Sequence, residues 1–461
     1  MTMNLESAPG AGPLNPHPPQ RSDFATDFLW GCATSSYQIE GAAHADGRVE
    51  SIWDRFAATP GKIRDGSSGA VACDHYHRWP EDLDIAHSLG LNAYRFSIAW
   101  PRIFGGHGGK PNPKGLDFYS RLVDGMLERG LQPWATLYHW DLPQYLQDDG
   151  GWNARATVDA FLELADAMTR RLGDRVKHWI THNEPWCTAM IGHHEGWHAP
   201  GTTNFKTALQ VAHHVLLSHG KAVPVIRANV PDAQVGIALS LHPLRAASDS
   251  APDRAAMERH DGLRYRWFLD PLHGRGYPAA TLEQVGAAAP AVLAGDMEAI
   301  AAPTDFMGVN YYFPETVADQ PGHGPLGTRV LEPREGEITA MGWPVAPQGL
   351  AELLLRIERD YHPGPLYVTE NGACYEDVVE ADGAVHDGER RRYLVRHLAA
   401  LRQAIADGAP VKGYFAWSLV DNFEWAEGYL KRFGLVHIDY ASQRRRLKDS
   451  ALWYRSFLHG G

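Results

Sequence analysis

Long hydrophobic runs are missing from this sequence. Nothing in its 461 residues approaches the roughly 18 consecutive apolar positions that a membrane span requires. Cysteine is scarce as well. Cys32, Cys73, Cys187 and Cys374 lie far apart and form no C-x-x-C pair, which argues against a disulfide framework and fits a reduced, cytoplasmic compartment. Clustered positive charge is absent too. The formal net charge is −12, and no stripe of lysine and arginine offers itself to phosphates, so nucleic acid and anionic membranes are excluded as partners. The opening stretch "MTMNLESAPGAGPLNPHPPQ" lacks the basic start and apolar core of a secretory signal. It holds five prolines and few apolar residues, so residues 1–22 are expected to be a disordered leader ahead of a single domain, 23–461. Phosphate-binding loops are also missing. The cluster "GGHGGKP" (Gly105 to Pro111) lacks Walker spacing and puts Pro111 where a Ser or Thr should follow the lysine, so it reads as a surface loop.

The composition is that of a globular enzyme, with 44% hydrophobic and 21% charged positions. From Phe24 onward short β-type runs alternate with helix-period segments. The runs are "FLWGCAT" (28–34), "AYRFSIAW" (93–100), "PWATLYHW" (133–140), "VKHWITHNE" (176–184), "QVGIALSL" (234–241), "TDFMGVNYY" (304–312), "PLYVTE" (365–370) and "VKGYFAWSL" (411–419). Between them, Tyr119, Leu122, Val123 and Met126 recur at helical spacing. So do Val158, Phe161, Leu162 and Ala165, behind an expected N-cap at Asn153, and Leu394, Leu398, Leu401 and Ile405. Eight β–α steps predict an α/β fold, a single (β/α)₈ TIM barrel, with its site at the C-terminal ends of the strands. The long loop from Pro314 to Gln348 carries no readable pattern.

The polar residues at those strand ends form an unusual set: Gln38, Arg95, His139, Asn183 with Glu184, Asn310 with Tyr312, Glu370 and Trp417. Glu424 and Trp425 follow the last run. Two glutamates close two different strands on roughly opposite sides of an eightfold ring. A carboxylic acid paired with a carboxylate among amides and aromatics suits glycoside hydrolysis, in which one protonates the leaving oxygen and the other attacks or activates water.

Seven segments carry a resemblance: "FLWGCATSSYQIEG", "YRFSIAWPRI", "TLYHWDLP", "THNEP", "VNYY", "YVTENG" and "WSLVDNFEWAEGYLKRFGLV". Together, and in this order, they resemble glycoside hydrolase family 1, the β-glucosidase family, from about Phe24 to the last helix. The resemblance implies a retaining β-glycosidase, first of all a β-glucosidase acting on unphosphorylated β-glucosides such as cellobiose, short cello-oligosaccharides and aryl or alkyl glucosides. It implies Glu370 as nucleophile and Glu184 as acid/base, with Arg95 and Tyr312 hydrogen-bonded to the nucleophile and Asn310 counted in the same catalytic group. A cation and a phenol favour an ionised Glu370. Glu184 has no lysine or arginine near it in sequence, so its pKa is expected to be raised. Carboxylates about 5–5.5 Å apart would make the enzyme retaining. By the same resemblance Gln38 and Glu424 grip the outer hydroxyls of the sugar, and His139 and Asn183 the inner ones. Trp417, Trp425 and Trp140 line the sugar site, and Trp186 lies toward the aglycone. No cofactor or metal is implied, and the oligomeric state is not readable. A transglycosylase of the same fold, a β-galactosidase or β-fucosidase preference, and a non-catalytic sugar-binding barrel are the alternatives.

Other features have plainer readings. "CDHYH" (73–77) fits no zinc spacing, and "GHHEGWHAPG" (192–201) reads as a rim loop. Cys187 and Cys374 lack a histidine partner and read as small buried hydrophobes. His182 departs from the family pattern, which places an apolar residue there; it is expected to be a mostly neutral imidazole behind the site. Asn183 and Glu184 must both face the pocket, so regular pleating should break between them, where Pro185 ends the ladder.

Overall fold

The computed structural model describes residues 17–333 and 335–460. Most of the expected leader therefore lies outside the described residues. Of its remainder, Arg21–Asp23 forms a 3₁₀ turn, and Arg402 donates to the His17 carbonyl at 3.0 Å.

Eight parallel strands close a barrel in chain order. They are β1 (Leu29–Ala33), β2 (Ala93–Ser97), β3 (Gln132–Tyr138), β4 (His178–Asn183), β5 (Gln234–Ser240), β6 (Phe306–Asn310), β7 (Leu366–Asn371) and β8 (Val411–Trp417). All eight fall within the runs expected from the sequence or one residue outside them. The ring closes through β1 and β8, with Ala33 opposite Trp417. Two features lie over the barrel's open end and side: a three-stranded sheet (Leu244–Ala246, Glu315–Asp319, Thr328–Leu331) and a hairpin (Val436–Asp439 with Arg444–Leu447). Two of those strands lie in the stretch 314–348 that carries no pattern. Among the described residues no helix is long and apolar enough to cross a membrane.

The barrel interior is filled at its base. Ala93, Trp134, Ile180, Phe306 and Phe415 form a cluster, with the Trp134 ring 5.1 Å from Phe306 and 5.2 Å from Phe415. Gly236 makes room for this layer, because a Cβ there would sit 2.5 Å from the Phe306 ring. With the base plugged, only the C-terminal ends are free to form a pocket. The larger core lies between strands and outer helices. Helix Pro113–Glu128 starts on Asn112, whose side chain caps Lys114 N–H, and buries Tyr119, Leu122, Val123 and Met126. Helix Gly388–Ala406 buries Leu394, Leu398 and Leu401.

The expected cap at Asn153 is not formed. Asn153 ends a 3₁₀ turn, Gly151–Asn153, and the helix begins at Ala156 behind Arg155 with no side-chain cap. Thr157, in the first helical turn, donates from Oγ1 back to the Gly151 carbonyl at 2.5 Å and ties the helix to the 3₁₀ turn.

The chain just beyond β7 packs closely against the end of β8. Gly372 follows Glu370 and Asn371, and an added Cβ would lie 1.8 Å from the Trp417 carbonyl oxygen. Gly372→Ala is therefore expected to destabilise the fold by about 1–3 kcal/mol, the range for overpacking, in urea unfolding, and to lower activity by displacing Glu370. A variant of unchanged stability and activity would show that the two strands can part freely.

Candidate active site

The strand ends surround a cavity of about 720 Å³. Glu184, Glu370, Tyr312, His139, Trp140, Trp186, Trp417, Glu424 and Trp425 all line it. Arg95, Asn183, Asn310 and Gln38 stand directly behind, bonded to those that do. The structure thus brings together every site residue expected from the sequence.

Local backbone explains how two adjacent residues face one pocket. The β4–β5 register shifts between Ile180 and Asn183, and Glu184 adopts φ +49°, a left-handed conformation that is costly for a non-glycine residue. Its N–H still reaches the Ala238 carbonyl at 2.8 Å. The expected break in pleating is present at this point.

Arg95, 1% exposed, organises the floor. Its guanidinium donates to Glu370 Oε1 at 2.6 Å, to Asn183 Oδ1 at 2.6 Å and to the Thr369 carbonyl at 3.0 Å. Tyr312 donates its phenol to Glu370 Oε2 at 2.7 Å. Both oxygens of Glu370 are thereby held. Asn310 Nδ2 donates to Glu184 Oε1 at 2.8 Å and to Asn183 Oδ1 at 3.0 Å. One amide–guanidinium bridge thus links the two carboxyl groups.

Electrostatics correct one expectation. Arg95 and Tyr312 favour an ionised Glu370, but burial is the larger effect and the neighbouring Glu184 adds to it, so the carboxyl is pushed up to about 7. Burial, then Glu370, Glu427 and Glu184, push Glu424 up to about 8, against Gln38, which donates at 3.4 Å. Burial holds His139 well below the usual imidazole range, so it is neutral. Asn183 Nδ2 lies 3.0 Å from His139 Nε2, which makes Nε2 the acceptor and leaves the proton on Nδ1, an atom with no partner among the described residues.

His182 points away from the cavity. Its Nε2 lies 2.8 Å from Ser218 Oγ, and its ring packs 4.5 Å from Phe161 and 5.4 Å from Trp152. Burial keeps it neutral, as expected.

Two readings change. Cys187 is not merely a small hydrophobe: its Sγ–H donates to Glu184 Oε2 at 3.0 Å. Burial and the Glu184 carboxylate push the thiol well above its ordinary range, so it stays a donor. Three-residue spacing across the turn that opens after Pro185 was the signal for this contact. The segment read as a rim loop begins instead as the end of a π-helix, Cys187–Glu195. A cation also lines the cavity, Arg264. Arg264 stacks 4.5 Å over Trp186 and donates to the Ser240 carbonyl at 2.8 Å and to Glu315 at 3.5 Å. Nothing in the local sequence around Arg264 marks it, because its partners come from β5 and the loop after β6.

The chain is similar to known proteins in sequence and fold. The model of glycosyl hydrolase family 1 matches residues 20–460. Beta-glucosidase A of Thermotoga maritima is 46% identical over 432 residues, 94% of this chain and 96% of the relative. Beta-glucosidase A of Acetivibrio thermocellus is 47% identical over 441 residues, 94% and 98% of the two chains. The solved structure of the Thermotoga maritima enzyme in complex with deoxynojirimycin superposes with a TM-score of 0.92 at 45% identity, covering 95% of this chain and 98% of that one. By sequence across nearly its whole length, and by fold, this chain belongs to glycosyl hydrolase family 1.

Proposed function

We propose that this β-glucosidase works by double displacement, with Glu370 as nucleophile and Glu184 as acid/base. The observation that carries the assignment is the difference between their partners in one cavity. Glu370 is gripped on both oxygens by a cation and a phenol. Glu184 is held on one oxygen by a neutral amide and on the other by a weak thiol donor. A carboxylate fixed by strong donors is aimed to attack, and one held by weak donors can exchange its proton.

In the first step an ionised Glu370 oxygen forms a bond to the anomeric carbon. The glycosidic C–O bond breaks, and Glu184 gives its proton to the departing oxygen. The ester that results carries no charge on Glu370. In the second step Glu184, now ionised, takes a proton from water, whose oxygen attacks the same carbon and releases Glu370. Two inversions give net retention. Asn183, through its free Nδ2–H, and His139, through Nδ1–H, supply donors to the inner hydroxyls. Gln38 and a Glu424 that is protonated near neutrality offer a donor and acceptors to the outer ones. Trp417 and Trp425 present apolar faces to the C–H side of the ring.

The substrates are unphosphorylated β-glucosides, including cellobiose, short cello-oligosaccharides, and aryl and alkyl glucosides. Glu184, Glu370, Glu424 and Glu427 all line the cavity, and a 6-phosphate would add two charges to this acidic wall. Cytoplasmic placement fits four free cysteines, all buried.

Three measurements test these roles. Glu370→Ala is expected to lose on the order of 10⁴-fold or more in kcat on nitrophenyl β-glucoside; activity surviving without an added nucleophile would sink the nucleophile assignment. Tyr312→Phe removes a donor that favours ionised Glu370, so the acid limb of kcat/KM should move to higher pH by about one unit. A limb that stays put, or moves to lower pH, would remove Tyr312 from the nucleophile's control. Cys187→Ser supplies a stronger donor to Glu184, stabilising its ionised form, and should move the alkaline limb to lower pH. Cys187→Ala should move it to higher pH, while His182→Phe leaves both limbs in place.

A further inference from the structure

Behind the wall of the catalytic cavity lies a second, much smaller one. Its volume is about 10 Å³, and its lining includes Trp53, Trp140, Cys187, Thr188, His193 and His198. Trp140, Cys187 and His198 also line the catalytic cavity, so the two spaces share a wall. Four polar atoms of the residues around the small cavity are buried and have no partner among the described residues. They are Trp53 Nε1, Thr188 Oγ1, His193 Nε2 and His198 Nδ1. Buried polar groups are almost always paired, and four exceptions around one cavity call for one common partner.

The chemistry of the four atoms defines that partner. Trp53 Nε1–H can only donate. His193 Nδ1 lies 2.8 Å from the Thr188 carbonyl, which can only accept, so Nδ1 carries a proton. Burial pushes His193 down to about 4, so the ring is neutral and Nε2 can only accept. The partner must therefore accept and donate at once. A metal or ammonium ion cannot accept from the indole, and a halide cannot donate to the imidazole. Burial also pushes His198 down to about 3, so its Nδ1 belongs to a neutral ring and takes a single role. The Thr188 hydroxyl takes either role and complements it. A cavity of this size holds about one water, which forms two to four hydrogen bonds when buried.

We infer that this cavity binds a single ordered water, held by Trp53, Thr188, His193 and His198. The water joins the helix Ile52–Ala58 to the π-helix Cys187–Glu195 and to the loop that follows it. The Trp53 ring packs 4.6 Å from Trp425, and the Trp140 ring packs 4.6 Å from the same indole. The water thus stands behind the aromatic wall of the catalytic cavity and ties its supports together.

Two measurements test it. A crystal structure of the wild type, at a resolution that places single waters, should show one density peak in this cavity. The peak should lie about 2.7–3.2 Å from at least three of the four atoms. No peak there, or the four atoms paired directly with one another, overturns the site. Thr188→Val keeps the shape of the side chain and removes its hydroxyl. With the water bound, this change deletes one of its partners, and the urea midpoint of the full chain should fall. In a dry cavity it removes an unpaired buried hydroxyl, and the midpoint should rise. A midpoint that rises or stays put therefore overturns the inference. If the variant does not fold, the wild-type crystal structure decides alone.

Discussion

The buried guanidinium of Arg95 is the interaction on which the rest of the site depends. Rooted on β2, it reaches Thr136 on β3, Asn183 on β4, and Thr369 and Glu370 on β7. A buried cation left without partners would be very costly, so these contacts stabilise one another, and removing Glu370, its one carboxylate partner among the described residues, leaves the charge unpaired. The same fork that satisfies the cation sets the distance between the strands bearing the two glutamates. Asn183 and Asn310 carry the constraint onward to Glu184. Positions that differ by long stretches of chain are thus fixed by a handful of short hydrogen bonds.

This arrangement also sets the charge state of the cleft. Six carboxyl groups line one cavity, and those of Glu370 and Glu424 compete for protons. Glu370 and Glu424 both end up above the ordinary carboxylate range. A cleft in which protons are shared among acids can supply one to a leaving oxygen and recover it later without a metal-bound or solvent-borne acid.

Much of this was legible in the chain because it depends on local pattern. Apolar runs of the right length produce the strands, and the barrel residues named as functional lie within such runs or a few residues beyond them. Helix faces such as Leu394, Leu398 and Leu401 are set by spacing alone. What escaped depends on contacts across the fold. Asn153 is a good capping residue by type, but the preceding 3₁₀ turn moves the helix start beyond its reach. Arg264 joins the site only because β5 and the loop after β6 converge on it. The balance of forces on Glu370 is likewise invisible in sequence: its partners could be named, but the burial that outweighs them could not.

The left-handed backbone at Glu184 bears on how far this protein can be stabilised. A glycine would sit there without strain, and it would also relieve the cost of keeping a carboxyl group 5% exposed in an acidic cleft. The residue proposed to give up the proton is therefore one that the fold, judged by stability alone, would discard. Selection for heat resistance that ignores turnover would erode this strand end first, and variants hardened elsewhere in the barrel would be the ones able to keep it.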